Sequence, residues 1–184
     1  MVLYIDHYDS FVNTIVDYIN HLGFEVDVYK TDSLLPNFDK YTHIIIGPGP
    51  GHPNELINQY EIIKYCEKYS KPLLGICLGH QLIAQYYGST IVKAKQILHG
   101  RNSKINNINN SILYKNLPNN FEVTRYHSLI IKNIVYPLQV TSLSMEQEIM
   151  SYKHQFKNIF GVQYHPEAYL TEYGIEIFRN FLTI

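Results

Sequence analysis

One of the two cysteines in this sequence, Cys77, lies between two glycines in the stretch Gly-Ile-Cys-Leu-Gly, residues 75–79, directly after an apolar run. The form G-x-C-x-G at a strand-to-helix junction is typical of a nucleophile elbow in which sulfur replaces the serine oxygen. Small neighbours allow strand and helix to pass closely around a strained backbone, and the N-terminus of the following helix lowers the pKa of the thiol. The pattern therefore predicts a nucleophilic Cys77, with the Leu78 N–H directed at a developing oxyanion. The alternative is a small buried hydrophobic residue, which is how we interpret Cys66.

A cysteine nucleophile needs a base, and the base needs a group that orients it. His165 comes at the end of a predicted strand, where Pro166 ends the strand and Glu167 follows two residues after the histidine. Both side chains can then face the same edge of the sheet, with the carboxylate holding the imidazole tautomer. A plain turn after a strand is the alternative for this segment. Three other histidines are expected on the surface or in loops: His21, His43 and His154.

A second glycine cluster, residues 44–53 with the sequence IIIGPGPGHP, follows a predicted buried strand. Alternating Gly and Pro make a stiff loop whose backbone can come close to a ligand. The loop is neither G-x-G-x-x-G nor a P-loop, so a phosphate site is disfavoured and a donor loop for an oxyanion or a substrate carboxylate is favoured. No H-x-x-x-H or C-x-x-C spacing occurs near these groups, so no metal site is predicted.

The hydrophobic pattern predicts the elements that position these groups. In the first half, the predicted strands are 2–5, 24–29, 43–47 and 72–76, and the predicted helices are 9–23, 54–69 and 78–88. The second half predicts strands at 89–94, 122–126, 129–134, 138–144, 148–154 and 159–165, before a final helix at 171–184. The Asn-rich segment 102–120 is expected to be mainly loops. We therefore predict one α/β domain over residues 1–184, with three layers: a mostly parallel central sheet, helices on both faces, and a small antiparallel β region.

The composition disfavours several classes of protein. Of the 184 residues, 46% are hydrophobic and 17% are charged, which is typical of a folded globular chain, and the formal net charge is −1. The cationic residues are dispersed, so no basic surface is expected to bind nucleic acid or an anionic membrane. No apolar stretch reaches the ~18 residues of a membrane span, and the first residues do not resemble a secretory signal. Because two cysteines make no disulfide framework, a reducing compartment such as the cytoplasm is expected.

Three segments together resemble the class I (triad) glutamine amidotransferase family: GPGPG at 47–51, GICLGHQ at 75–81 and GVQYHPE at 161–167. Three further segments resemble a narrower branch of that family, the glutaminase component of anthranilate synthase and of aminodeoxychorismate synthase. They are IDHYDSF at 5–11, HG at 99–100 and RYHSL at 125–129. The likeness covers nearly the whole chain and implies a flavodoxin-like fold.

The resemblance implies a Cys-His-Glu triad with Cys77 as the nucleophile, His165 as the base and Glu167 as the orienting carboxylate. It implies an oxyanion hole formed by the backbone N–H groups of Gly49 and Leu78. The residues implied to hold L-glutamine are Gly49, Pro50, Gly51, Gln81, Ser128 and Leu129. Ammonia would pass to a separate chorismate-binding synthase subunit, for tryptophan or folate synthesis. The resemblance implies no cofactor in this chain and Mg²⁺ only on the synthase partner. It implies a location in the cytoplasm or, in an organelle, in the plastid stroma.

The sequence departs from the family pattern without losing a triad residue. Tyr164 replaces the usual Phe, Ala168 replaces a common Ser, and Arg101 replaces the usual Lys. After DSF the branch tends toward T-x-N, whereas this chain has Val-Asn-Thr at 12–14; this change and Arg101 concern contact with the synthase. The alternatives are a glutaminase that serves GMP, CTP, carbamoyl phosphate or imidazole glycerol phosphate synthesis, a γ-glutamyl hydrolase that acts alone, and an inactive binding subunit.

Overall fold

The computed structural model describes all 184 residues. The strands are β1 (Val2–Asp6), β2 (Val26–Lys30), β3 (His43–Ile46), β4 (Leu73–Ile76), β5 (Thr90–Lys93), β6 (Arg101–Asn107), β7 (Asn120–Arg125), β8 (Leu129–Asn133), β9 (Leu138–Ser144), β10 (Ile149–His154) and β11 (Ile159–Val162). The α-helices are α1 (Val12–His21), α2 (Tyr60–Tyr69), α3 (Leu78–Tyr86) and α4 (Gly174–Leu182). Short 3-10 helices cover Phe38–Lys40, Pro53–Gln59 and Ile112–Tyr114. None of the helices combines the length and the apolar character that crossing a membrane requires.

Nine strands form one sheet in the order β2-β1-β3-β4-β11-β10-β9-β6-β7. The first five strands of this order pair in parallel, and the remaining strands join in antiparallel fashion. Strands β5 and β8 form a separate antiparallel pair. The predicted parallel sheet with helices and an added antiparallel region is confirmed, and most of the antiparallel strands continue the central sheet.

Alternate residues of the parallel strands face two apolar layers, one on each side of the sheet. In β1, Val2 and Tyr4 pack in the layer that also contains the buried residues of α1 and α4. Leu3 and Ile5 pack in the layer that contains those of α2 and α3. Because both faces are covered, these strands appear in the sequence as continuous apolar runs.

The carboxyl ends of three parallel strands meet at one edge of the sheet. Strand β4 lies between β3 and β11, and the register pairs Ile76 of β4 with Val162 of β11. The segments that leave these strands are the 47–51 loop, the 75–79 elbow and the 163–167 turn. The topology therefore brings the three predicted segments together, as expected for the carboxyl edge of an open parallel sheet.

Several helices are shorter than predicted. The predicted helix 54–69 is a 3-10 helix followed by α2, with a kink at Leu56, whose backbone is not helical (φ −114°, ψ 19°). The final helix begins at Gly174, because Tyr173 before it is left-handed (φ 60°). The predicted helix 9–23 is ordered as α1 over Val12–His21 only.

The prediction of loops over 102–120 is wrong at both ends. Strand β6 covers Arg101–Asn107 and β7 begins at Asn120. Strand β6 pairs with β7 on one side and β9 on the other, and Ile105 within it is completely buried. Backbone pairing with two neighbours therefore forms a strand from a sequence that lacks apolar alternation.

Two histidines expected at the surface are buried instead. His43, in β3, is 5% exposed and packs against the rings of Phe24 and Phe181. His154, at the end of β10, is 8% exposed, and its Nδ1 accepts hydrogen bonds from two backbone N–H groups of the following turn. His21 is exposed, as predicted. A neutral imidazole packs like an aromatic ring, which a surface prediction based on polarity overlooks.

Candidate active site

The backbone at Cys77 is left-handed, with φ 51° and ψ −96°, in the turn between β4 and α3. For a residue with a side chain this conformation is strained. A Cβ on Gly75 would lie 2.5 Å from the backbone of Gly79, and a Cβ on Gly79 would lie 2.1 Å from the carbonyl oxygen of Ile46. The two glycines therefore permit the close passage of strand and helix that exposes Cys77 to a pocket. Cys66, in contrast, is completely buried in α2.

His165 is fixed through its backbone as well as its side chain. Its N–H donates to the carbonyl of Thr124 at 3.0 Å, and the hydroxyl of Thr171 donates to its carbonyl at 2.7 Å. The imidazole Nδ1 donates to Glu167 Oε1 at 2.6 Å. This bond selects the tautomer in which Nε2 is free to accept a proton.

Three influences determine the pKa of the His165 imidazole: its burial, the sulfur of Cys77 and the carboxylate of Glu167. Burial lowers the pKa of His165, but hydrogen bonding and attraction to Cys77, and then to Glu167, outweigh burial and raise the pKa well above its ordinary value. Nδ1 is bonded to Glu167, whereas Nε2 is buried and makes no hydrogen bond in this structure, so Nε2 is the nitrogen left to exchange a proton with the sulfur. The arrangement can hold a thiolate–imidazolium pair and pass a proton between Sγ and Nε2.

A pocket of about 160 Å³ opens over the elbow. This is smaller than the ~300–1,000 Å³ of most sites for drug-sized ligands, so the pocket suits a small molecule. Its lining residues are Gly49, Pro50, Gly51, Cys77, Leu78, Gln81, Tyr126, His127, Ser128 and Leu129. The lining therefore includes all the residues predicted to form the oxyanion hole or to hold glutamine.

Two backbone N–H groups in the pocket wall have no acceptor within the protein. Leu78 is the first residue of α3, where helix geometry leaves the N–H unpaired. The N–H of Gly49 makes no hydrogen bond. Gly49 also packs directly on His7, since a Cβ at position 49 would lie 2.3 Å from the Cβ of His7. Together with the positive end of α3, these two donors can stabilise a negative charge that forms beside Cys77.

The amide of Gln81 is held in one orientation. Its Nε2 donates to the Leu129 carbonyl and to Gln163 Oε1, both at 3.0 Å. Gln163 Nε2 in turn lies 3.7 Å from Cys77 Sγ, within hydrogen-bonding distance of a sulfur. Gln81 therefore keeps its Oε1 available for a ligand in the pocket.

The wall formed by Leu129 is supported from behind by His127. Arg125 Nε donates to His127 Nε2, and His127 Nδ1 donates to the Leu129 carbonyl, both at 3.0 Å. Burial, and then the positive charge of Arg125, lowers the pKa of His127 to about 3, so the ring stays neutral. The buried guanidinium of Arg125 is itself paired with Glu148 and Glu146.

Three of these supporting residues were not predicted from the sequence: Gln163, Arg125 and His127. Gln163 lies two residues before His165, so strand alternation could have placed both side chains on the same face. Arg125 and His127 lie within RYHSL, but no local pattern shows that a buried Arg–His pair supports the carbonyl of the last residue of that segment.

Three of the four departures from the family pattern place no side chain in the pocket. Tyr164 is completely buried, and its hydroxyl lies 3.1 Å from that of Tyr114 in the core. Ala168 is buried, and its N–H donates to the His165 carbonyl at 3.2 Å. Arg101 is exposed at the start of β6. None of the three lines the pocket.

Comparison with known proteins gives consistent matches over the chain. The family described as glutamine amidotransferase class-I matches residues 3–184. Anthranilate synthase component 2 from Pyropia yezoensis is 41% identical over 188 residues, covering 99% of this chain and 98% of that protein. Aminodeoxychorismate/anthranilate synthase component 2 from Bacillus subtilis is 40% identical over 192 residues, covering 99% and 95%.

Two further matches are to a much longer protein and to a solved structure of lower sequence identity. Bifunctional protein TrpGD from Thermotoga maritima is 41% identical over 190 residues, and this chain spans only 32% of its length. A crystal structure of a Thermoplasma acidophilum protein, described as one of the subunits of GMP synthase, superposes with a TM-score of 0.88 at 25% identity, covering 100% of this chain and 92% of that one.

Proposed function

The chain belongs to the class I glutamine amidotransferase family, and from this membership we propose that it is the glutaminase subunit of a chorismate-using synthase. In this role it hydrolyses L-glutamine through a thioester at Cys77. It passes the ammonia to a separate synthase subunit, which makes anthranilate, 4-amino-4-deoxychorismate or both. The observation that carries the proposal is the meeting of Cys77, His165 and Glu167 beside a small pocket with two unpaired backbone donors.

The choice of chorismate as the acceptor rests on the relatives and on the branch segments. The relatives that match over nearly their full length are named as component 2 of anthranilate synthase or of aminodeoxychorismate/anthranilate synthase. A component 2 implies a component 1, so a synthase subunit is the expected partner. The double name of the Bacillus relative supports one glutaminase that serves both products. The segments at 5–11 and 125–129 favour this branch over glutaminases that serve other acceptors.

Catalysis begins when glutamine places its side-chain amide over Cys77. Gln81 Oε1 accepts a hydrogen bond from the α-ammonium group of the substrate. The thiolate attacks the amide carbon, and a carbon–sulfur bond forms. The N–H groups of Gly49 and Leu78 stabilise the negative charge on the amide oxygen, and one such donor contributes about 3 kcal/mol in comparable sites.

Ammonia leaves in the second step. The imidazolium of His165 gives its Nε2 proton to the amide nitrogen as the carbon–nitrogen bond breaks, and a glutamyl thioester remains on Cys77. A water molecule then gives a proton to the same Nε2 while its oxygen attacks the thioester. Glutamate is released, and the thiolate–imidazolium pair is restored. These steps use only side chains and backbone donors of this chain, so the proposal assigns Mg²⁺ to the synthase partner alone.

Replacing Cys77 with Ser tests the proposal in the complex with the chorismate-using synthase from the same source. We expect Cys77→Ser to abolish chorismate amination with glutamine as the nitrogen source. Amination with ammonium salts should continue at the wild-type rate, because the synthase does not need the thioester for free ammonia. Cys66→Ser is the matched control and should retain both activities, since Cys66 is remote from the pocket.

Three results would contradict different parts of the proposal. Glutamine-dependent amination by Cys77→Ser would exclude Cys77 as the nucleophile. Transfer of ammonia to an acceptor other than chorismate would exclude the assigned branch. The proposal also expects the docked synthase to activate this chain, and equal glutaminase rates with and without the synthase would contradict that expectation.

A further inference from the structure

The branch segments DSF, HG and RYHSL are far apart in the sequence, and the triad chemistry uses none of their aromatic residues. The structure brings a ring from two of these segments to the same place, the imidazole of His165. Phe11 comes from the turn before α1, and Tyr126 comes from the turn after β7. This convergence suggests a shared task at the base.

The three rings form a closed triangle. The ring centroid of Phe11 lies 5.2 Å from that of His165 with an interplanar angle of 55°, and the centroid of Tyr126 lies 5.2 Å from it at 75°. Phe11 and Tyr126 also contact each other, at 5.3 Å and 55°. Separations of this size with tilted planes are the preferred geometry of aromatic pairs.

Each of the two aromatic rings is held in place from outside the triangle. His99 packs edge-on against Tyr126, with centroids 5.4 Å apart. Gly100 is left-handed (φ 69°), and a Cβ there would lie 3.3 Å from the Tyr126 ring, so the HG segment also fits around this tyrosine. The Phe11 N–H donates to the Asp9 carboxylate at 2.8 Å, which fixes the start of the turn.

Tyr126 contacts His165 through its aromatic ring and not through its hydroxyl. The hydroxyl of Tyr126 makes no hydrogen bond to the protein, whereas the hydroxyl of Thr171 bonds to the backbone of Thr124 and His165. The Glu167 hydrogen bond fixes Nδ1 of His165 but leaves the ring free to tilt toward or away from Cys77. Two rings packed on the imidazole remove that freedom.

We propose that Phe11 and Tyr126 form an aromatic clamp that holds the His165 imidazole with Nε2 directed at Cys77. Both are positioning residues that act through His165. The proposal rests on the proposed function, in which His165 is the base of the glutaminase reaction. It gives the three branch segments a common physical role at the triad.

The test uses Phe11→Leu and Tyr126→Leu in the full chain complexed with its synthase. Phe24→Leu is the matched control, because Phe24 is also half-buried and also packs on a buried histidine, His43 at 6.1 Å, remote from the pocket. We expect each clamp variant to lower kcat for glutamine hydrolysis by about three- to tenfold, as for the loss of one aromatic pair. For Phe11→Leu the KM should not change, because Phe11 does not line the pocket. Tyr126→Phe should recover most of the kcat that Tyr126→Leu loses.

A second readout follows the imidazole itself in the full chain. NMR signals of the His165 ring, assigned by their loss in His165→Gln, should move when either clamp ring is removed and should stay in place in Phe24→Leu. If a leucine variant does not fold, Phe11→Met and Tyr126→Met replace it, since Met fills a similar volume without a ring.

The proposal is overturned if folded clamp variants match Phe24→Leu in kcat and in the His165 signals, or if Tyr126→Phe is as impaired as Tyr126→Leu. A wild-type complex that fails to use glutamine would instead contradict the proposed function. The two failures are therefore distinguishable.

Discussion

Cys66 and Cys77 carry the same thiol in two different environments. Burial within α2 raises the pKa of Cys66 to about 12, so this side chain stays a neutral thiol. Cys77 lies at the N-terminus of α3, beside His165, and lines the pocket. Because the thiolate is the nucleophilic form, the chain offers one reactive cysteine.

The variant Glu167→Gln tests the role of a single residue, the carboxylate that contacts His165. Burial lowers the pKa of His165 whereas Cys77 and then Glu167 raise it, so loss of the Glu167 charge should lower this pKa and weaken the thiolate–imidazolium pair. We expect kcat for glutamine hydrolysis by the complex to fall about 10²-fold or more. The KM should change little, because Glu167 does not line the pocket. An unchanged kcat in steady-state kinetics would show that the carboxylate neither orients nor supports the base.

The three triad residues could be predicted because their motifs are local, whereas the glutamine-binding residues Gln81, Ser128 and Leu129 were implied only by the resemblance to the family. The elbow, the Gly-Pro loop and the His-Pro-Glu turn each lie within ten residues. Gln163 contacts Cys77 from a distant part of the sequence, which no local pattern shows. Arg125 bonds to His127 and His127 to the Leu129 carbonyl, each two residues along the chain, but no known spacing marks a buried Arg–His pair as a support for a pocket wall.

Among the strands and helices, the order of strands in the sheet determines whether the triad residues come together. Strand β11 adds beside β4 in parallel, with Gly161 opposite Gly75 and Val162 opposite Ile76. This pairing places the residues after β11 next to the elbow after β4, although the two strands are far apart in the sequence. The apolar runs predicted each parallel strand, but which strands pair is a property of the packed sheet and was not predicted.

Gly79→Ala tests the close passage of α3 over the sheet. A Cβ at Gly79 would lie 2.1 Å from the Ile46 carbonyl oxygen, which is backbone and cannot move aside cheaply. We expect the free energy of unfolding, measured with urea, to fall by about 3 kcal/mol. Gly88→Ala is the control: Gly88 is left-handed (φ 92°) with nothing within 4 Å of the added Cβ, so strain alone should cost about 1 kcal/mol. Equal losses in the two variants would show that the elbow tolerates a side chain.

The antiparallel region shows where prediction from the sequence ends. Strand β6 carries one completely buried residue, Ile105, among polar neighbours, and its pairing with β7 and β9 makes it a strand. Its Asn-rich sequence favours loops, so tertiary pairing overrides local preference here. The buried positions of His43 and His154 likewise depend on rings from distant segments: Phe24 and Phe181 pack against His43, and Tyr87 packs against His154.

For the whole molecule, the buried histidines link folding to pH. Five histidines have a pKa below the ordinary value, and burial is the largest cause for each: His7, His43, His80, His127 and His154. The values are about 4 for His43 and about 3 for His80 and His127. His165 is the one histidine with a raised pKa, and its effect on the pH dependence of stability is opposite to that of the five. The unfolded chain therefore binds more protons than the folded chain at mildly acidic pH.

Stability should accordingly fall as the pH is lowered. A histidine with a depressed pKa contributes its full stabilisation above the unfolded pKa of about 6.5 and loses it as the pH falls toward the folded pKa. Between about pH 7.5 and about pH 5.5 we expect a loss of roughly 1 kcal/mol each from His80 and His127. Urea unfolding at the two pH values measures the sum. His43→Leu should reduce the pH dependence, and His21→Leu, at an exposed position, should not; a pH-independent stability would contradict this account.

Modification of the chain in complex with its synthase by a glutamine-analogue electrophile, a diazoketone, followed by peptide mass spectrometry, tests most directly whether Cys77 and His165 form the reacting pair. We expect one modified peptide, which contains Cys77. We also expect glutamine to protect Cys77, the reaction to be much slower in His165→Gln, and Cys66 to remain unmodified. An unmodified Cys77 in a preparation whose complex hydrolyses glutamine would contradict the claim that Cys77 and His165 form the reacting pair.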